Sequence, residues 1–231
     1  MDIEEKVLNI LSDPIKGIGF KIVHVTQNIK GSKNLQIIAE RIIDQKLDIN
    51  DCVKISKFAS VLLENEESID VLINNVGTFI PGKLIEEEDS ALENMINVNL
   101  YSNYWITKGL VSLMTQKKEG HIFNMCSIAS KVAYANGGSY CISKFALYGM
   151  SLCLREELKE LGIKVTSVLP GAVRTGSWDG TLLPDDRFIK PDDVSNSIYS
   201  AYDTSKGATI EEIIIRPQPV SYTHLRAHET K

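Results

Sequence analysis

Short runs rich in valine and isoleucine alternate along this chain with longer amphipathic stretches, and that alternation restricts the fold more than any other feature. The runs KIVHV (21–25), VLINNVG (71–77), HIFNM (121–125), KVTSVL (164–169) and IEEIIIRP (210–217) have the composition of strands covered on both faces. Between them NLQIIAERI (34–42), CVKISKFASVLLE (52–64), a long stretch over about 90–116, SYCISKFALYGMSLCLREELKEL (139–161) and DDVSNSIYSAY (192–202) read as helices. Strands and helices in this order predict an α/β domain, a doubly wound and mostly parallel sheet with helices on both faces and right-handed crossovers. The length of 231 residues suits one such domain and is short for two.

The first residues test that reading. In DIEEKVLNILS the apolar positions Ile3, Val7, Ile10 and Leu11 follow a helical spacing, and Asp2 with Glu5 forms a capping box. The glycine cluster KGIG that follows has the look of a phosphate cradle, but the run FKIVHV starts immediately after Gly19. Two parallel strands need a crossover of about a dozen residues or more, so KVLNIL and FKIVHV cannot flank a phosphate loop as neighbouring strands. Gly17 and Gly19 therefore read as the turn between a first helix and a strand. At the other end, VSYTHLRAHETK (220–231) has neither apolar periodicity nor turn logic and resembles a translated sequencing adapter. His224 and His228 have a helical metal spacing without the glutamate of H-E-x-x-H, so no metal is expected. These features predict a single domain over 1–219, truncated at its N-terminus, with a non-native tail over 220–231.

Composition excludes several classes. A net charge of −5 and no basic stripe argue against a nucleic-acid partner. No apolar run approaches a spanning length and the start MDIEEK is acidic, so neither a membrane anchor nor a signal peptide is expected, and the cytoplasm is the expected compartment. Cys52, Cys126, Cys141 and Cys153 are scattered without a C-x-x-C pair, which predicts buried free thiols.

Chemistry concentrates in GGSYCISKFALYG. Tyr140 and Lys144 stand at i and i+4, on one face of a helix. A phenol titrates near pH 10, and an ammonium beside it favours the phenolate, which suits Tyr140 to proton exchange with a carbonyl or alcohol oxygen. Taken alone, the spacing is common in helices. Ser127 lies just past a strand and 13 residues before Tyr140, where its hydroxyl is able to meet the same substrate oxygen. IDVLINNVG ends a second strand with paired asparagines and a glycine, and VLPGAVRT ends a third, beyond the carboxyl ends where open α/β sheets bind ligands.

With these four motifs in this order, the sequence resembles the short-chain dehydrogenase/reductase family over about 20–217. The resemblance implies a Rossmann-like fold and an NAD(P)-dependent oxidoreductase that moves hydride between nicotinamide and a carbonyl or secondary alcohol. It assigns Tyr140 as acid/base, Lys144 as the group that lowers its pKa and holds the nicotinamide ribose, and Ser127 as the residue that positions the carbonyl. Asn99 in INVNLYS matches the asparagine that kinks its helix and anchors a water of the proton relay. Asn75, Val76 and Gly77 match the strand end that backs the adenosine half, with Val76 where alanine is usual. Asp48 and Ile49 match the pair flanking the adenine. Pro170, Gly171, Val173 and Thr175 match the loop beside the nicotinamide, with Thr175 at the carboxamide.

The family's first strand and its T-G-x-x-x-G-x-G loop have no counterpart in the sequence, so a non-catalytic binding or structural protein, or an inactive fragment, stands as the alternative. After KIVHV come Thr26 and Gln27 in place of the acid that accepts the ribose hydroxyls of NAD, which leans toward NADP with NAD as the other option. Ile128, Tyr134 and the segment containing Trp178 are the expected pocket walls, Trp178 as an apolar lid or as plain packing. The expected partners are a small carbonyl or alcohol substrate and a second copy of the chain, as a homodimer or homotetramer, with Leu110, Met114, Phe145 and Met150 serving that contact or the core.

Overall fold

The computed structural model of the chain describes residues 20–27, 35–41, 69–178 and 182–219, with isolated positions between 5 and 16. The expected helix at 52–64, Asp48, Ile49, Cys52, the turn glycines Gly17 and Gly19, and the segment 220–231 lie outside the described residues. Glu5, Leu8, Asn9, Ser12, Asp13, Ile15 and Lys16 are helical, as the spacing predicts, and Ile15 is fully buried.

The segment 34–42 is not a helix. Strand β1 (Phe20–Gln27) pairs antiparallel with strand β2 (Leu35–Arg41) in a two-stranded sheet of their own, Phe20 opposite Arg41 and Gln27 opposite Leu35. Two sequence expectations change with this pairing. KIVHV does not join the parallel sheet, and LQIIAER carries, beneath its helical pattern, a partial period of two, apolar at Leu35, Ile37 and Ala39 and polar at Gln36 and Glu40 but broken by Ile38. Periodicity alone does not separate the two for so short a run. The backbone groups of β1 find their partners in the nearest following run of strand-forming residues.

The remaining strands build the expected parallel sheet, in the order β3 (Val71–Asn74), β4 (Gly120–Met125), β5 (Ile163–Pro170) and β6 (Glu212–Ile215). A long helical segment joins β3 to β4: α1 (Ala91–Ile96), a π-helical turn (Asn97–Tyr101) and α2 (Ser102–Lys117). Helix α3 (Gly138–Leu158) joins β4 to β5, and α4 (Pro191–Tyr202) joins β5 to β6. Side chains alternate across the strands and so supply two cores. Leu72, Ile122 and Val165 pack with Met114 of α2 and Leu158 of α3. Phe123 and Val168 point the other way and pack with Val194 and Ala201 of α4. Helices thus cover both faces, and the hydrophobic runs in β4 and β5 reflect burial on both sides.

Element ends follow local chemistry. Pro191 opens α4 with Asp192 and Asp193 in its first turn, where missing donors and the helix dipole favour them. After α3 a short 3₁₀ turn ends at Gly162 with φ 75°, and a Cβ there would stand 2.3 Å from the Lys118 carbonyl oxygen. Among the described residues, no helix is long and apolar enough to cross a membrane.

Candidate active site

The carboxyl ends of β3 and β4 rest on a buried polar layer rather than on an apolar one. Asn74 and Asn124 are register partners on neighbouring strands, and Asn74 Nδ2 donates to Asn124 Oδ1 (2.7 Å) and to Thr107 Oγ1 (2.8 Å). Asn124 Nδ2 donates to Ser151 Oγ of α3 (2.8 Å), and Thr107 Oγ1 donates to the Asn103 carbonyl (2.8 Å). Hydrogen bonds in this dry setting tie two strands to two helices and hold the floor of the crevice rigid.

The π-helical turn stands on this floor. Ser102 Oγ donates to the Val98 carbonyl and Asn103 Nδ2 to the Asn99 carbonyl (2.8 Å), so side chains satisfy backbone groups that the irregular turn displaces. Asn103 Nδ2 also lies 3.4 Å from the Val76 carbonyl. The Asn99 side chain is fully buried and clamps the chain beyond β3: its Oδ1 accepts from Thr78 N (2.7 Å) and its Nδ2 donates to the Thr78 carbonyl (3.1 Å) and to Ser143 Oγ (2.8 Å). A Cβ at Gly77 would press on both Asn99 Oδ1 and Lys144 Nζ at 3.2 Å, so glycine permits the close approach.

Helix α3 places Tyr140 and Lys144 on its inner face. Lys144 is 5% exposed, its Nζ donates to the Met125 carbonyl (2.8 Å), and burial pulls it down to about 8, with the nearby Cys126 thiol pulling the other way. The ammonium lies 5.9 Å from the centre of the Tyr140 ring. Burial lifts the Tyr140 phenol above its ordinary value, and the hydrogen bond from Ser127 opposes that shift. In the chain by itself desolvation dominates, and the phenol keeps its proton at neutral pH. Ser127 sits just past β4 in extended backbone, where its Oγ accepts from Ala129 N (3.1 Å) while its own N–H donates to Ser130 Oγ (3.2 Å). That capping box fixes the hydroxyl beside the phenol.

The N-terminus of α3 is capped from a distant loop. Gly137 supplies no side-chain cap, and the Glu87 carboxylate takes its place, accepting from Ser139 N at 3.0 and 3.1 Å and from the Ser139 hydroxyl. A Cβ on Gly138 would fall 2.0 Å from Glu87 Oε1. The segment from Gly77 to Glu87 is thus pinned at one end by Asn99 and at the other by α3. It carries Phe79, whose ring meets Tyr140 edge-on at 4.8 Å.

A model of the short chain dehydrogenase family matches residues 16–182. The chain belongs to that family. As a short-chain dehydrogenase it is an oxidoreductase, with the fold its sequence predicted. Among curated relatives, sepiapterin reductase of Chlorobaculum tepidum is 30% identical over 174 residues, 74% of this chain and 70% of that protein. A metagenomic short-chain oxidoreductase solved in complex with NADP superposes with a TM-score of 0.58 at 26% identity, covering 73% of this chain and 69% of that one. Serine dehydrogenase from Escherichia coli superposes with a TM-score of 0.63 at 25% identity, covering 77% of each chain.

Of the positions that the resemblance singles out in this short-chain dehydrogenase, Asn99, Ser127, Tyr140 and Lys144 come together with Gly77. Asn75 and Val76 lie exposed at the end of β3. Pro170 closes β5, Gly171 N donates to the Ile215 carbonyl (2.8 Å), Val173 bridges to Ile189, and Thr175 is exposed. Gln27 stands opposite Leu35 in the hairpin, in a different sheet from β3. Ile128 does not line the pocket as expected; it is buried with Leu147 and Leu169 because the 3₁₀ turn rolls it into the core. Met114 is likewise fully buried, whereas Cys153, expected to be buried, is exposed on the outer face of α3. Tyr134, burial of which raises its phenol, lines a cavity of 540 Å³ with Lys83, Leu84, Cys141, Ile142 and Phe145. From α3 that cavity takes a face distinct from that of Tyr140 and Lys144. Phe79, Glu87 and Asn103 escaped the sequence reading, since each acts on a partner far along the chain or on the backbone.

Proposed function

We propose that this protein is an NADP-preferring carbonyl reductase, running in reverse as a secondary-alcohol dehydrogenase, with Tyr140 as its acid/base. The observation that carries the reading is the convergence of Ser127, Tyr140 and Lys144 at the carboxyl ends of β3 and β4, braced by buried Asn99. The residues present suit the nicotinamide half of a dinucleotide. The glycine at 77 lets the exposed strand end lie against Lys144 Nζ, an ammonium with donors beyond the one that Met125 accepts. Lys144 would hold the ribose hydroxyls, Asn75, Val76 and Gly77 would back the adenosine half, and Pro170, Gly171, Val173 and Thr175 would flank the nicotinamide. The absence of an acid at Thr26 and Gln27 and the NADP held by the similar metagenomic enzyme favour NADP over NAD.

A bound nicotinamide supplies the hydride for reduction and accepts it in oxidation. Ser127 and the Tyr140 hydroxyl orient the carbonyl oxygen, and the phenol proton passes to that oxygen as charge develops on it. A phenol held protonated by burial suits the reductive direction. Lys144, still largely charged at pH 7, steadies the phenolate left behind. Sepiapterin reductase and serine dehydrogenase are named for different substrates, and a small carbonyl or alcohol is the class this site accepts.

The protein assembles as a homodimer or homotetramer through the outer faces of α2 and α3. Tyr104 of α2 exposes its ring there, beside Tyr101 at the end of the π-helical turn, and Ile142, Phe145 and Leu152 form a stripe on α3. Gly149 lies within that stripe with open space above it, which admits a second helix closely.

The test is NADPH oxidation with a panel of small ketones and aldehydes, the parent against Tyr140→Phe. Loss of about 10² to 10⁴ in kcat is expected for the variant. Equal, measurable rates in the two proteins would remove Tyr140 from the acid/base role.

A further inference from the structure

Four aromatic rings run in sequence from the acid/base outward. Phe79 meets Tyr140 edge-on at 4.8 Å, Trp178 stands 6.5 Å from Phe79 with its plane tilted by only 31°, and Phe188 meets Trp178 edge-on at 5.2 Å. Both middle rings are partly exposed and both are anchored. Phe79 follows Thr78, whose backbone N–H and carbonyl are held by Asn99. Trp178 closes a 3₁₀ turn in which its N–H donates to the Thr175 carbonyl (3.0 Å), and its neighbour Phe188 is buried beneath the Arg174 guanidinium at 4.8 Å. The two rings arrive on loops after β3 and β5, strands that β4 separates in the sheet. Nothing in either loop's own sequence brings them together; the fold does.

Given the proposed reductase activity, we propose that Phe79 and Trp178 select substrates whose carbonyl is attached to a planar, unsaturated group, an aryl or conjugated ketone or aldehyde. The Phe79 and Trp178 rings are tilted by 31° at the upper end of the distance at which rings interact, so the two faces form a shallow open angle that receives a third flat group better than a puckered one. The carbonyl at the edge of that flat group then lies next to the Tyr140 phenol, which the same Phe79 ring touches. A saturated ring of equal size keeps its hydrophobic gain and loses the ring-face contacts. Trp178 acts as a selector of shape rather than as a simple lid.

The experiment compares acetophenone with cyclohexyl methyl ketone, which match in size and differ in planarity. Dissociation constants are measured by calorimetry on Tyr140→Phe with and without NADP, and KM on the parent. Acetophenone is expected to bind about tenfold more tightly, the sum of two ring contacts. Phe79→Leu and Trp178→Leu should each erase most of that preference while leaving the cyclohexyl ketone unchanged, and Trp178→Phe should keep it. Equal affinities for the two ketones, or a preference that survives both leucine variants, would overturn the proposal. Selective binding of acetophenone without turnover in the parent would uphold the aromatic selector and refute the reductase reading, so the two failures are distinguishable.

Discussion

His121 shows how a single residue makes this sheet sensitive to acid. Its ring is buried against Phe123 at 3.9 Å, its Nε2 pairs with Thr166 Oγ1 at 2.7 Å, and its Nδ1 has no partner among the described residues. Burial, with Lys164 nearby, pulls the imidazole down to about 4, so the folded protein keeps it neutral. An unfolded chain takes up that proton near pH 6.5, before the folded one does. Stability from the neutral ring is therefore complete above about 6.5 and drains away as pH falls toward 4, by about 3 kcal/mol in all. That is a large part of a typical margin of about 5 to 15 kcal/mol. Urea melts at pH 7.5, 6 and 4.5 should show the decline in the parent. In His121→Gln the decline over that window should shrink to what the other groups contribute, whatever the variant's stability at neutral pH. At the same scale, the catalytic candidates were the easy part of the sequence. Tyr140 and Lys144 share one helical face by spacing alone, and Ser127 follows a recognisable strand. Their protonation was not legible there, because it depends on how much water the finished fold removes from each.

Among the elements, α3 depends most on help from elsewhere. It holds Tyr140 three residues from its N-cap, Gly137 offers no side chain to that end, and the cap comes from Glu87, 52 residues before Ser139. In the sequence Glu87 is one of four acids in the run EEED (86–89), which reads as a solvated patch. Only the fold turns one of them inward, against a glycine that makes room for it. Removing a cap of this kind costs about 0.5 to 2 kcal/mol, and the carboxylate also favours the positive end of the helix. Glu87→Ala should lower the melting temperature and reduce kcat about tenfold while the KM for NADPH changes little, a drop equivalent to about 1.4 kcal/mol. Glu87→Gln, which keeps an acceptor without the charge, should restore most of the kcat. A kcat unchanged in the alanine variant would limit Glu87 to a structural role. The hairpin of β1 and β2 illustrates the converse problem, since LQIIAER satisfies helix and strand patterns alike and its partner decides.

For the whole molecule, the parallel sheet leaves an apolar stripe on the outer face of α3 that the described residues do not cover. Phe145 is 43% exposed and Gly149 opens onto empty space midway along the stripe. The proposed two-fold assembly buries that stripe, and light scattering at micromolar concentration should give at least twice the mass of 25.7 kDa. Gly149→Glu sets a charge where two helices would meet and should return the protein to a monomer with its helical content intact. A monomeric parent would refute the assembly. The sequence by itself determined the parallel sheet with helices on both faces, the helix at the chain's start and the placing of Tyr140 and Lys144 on one helical face, because each is written in spacings of a few residues along the chain. Tertiary structure alone decided that β1 pairs with β2, that Ile128 turns into the core, that burial raises the Tyr140 phenol, and that Phe79 meets Tyr140 while Glu87 caps the helix that carries it. Each of those outcomes turns on which partner, or how little water, a residue meets across tens of positions of chain, and local pattern does not encode that.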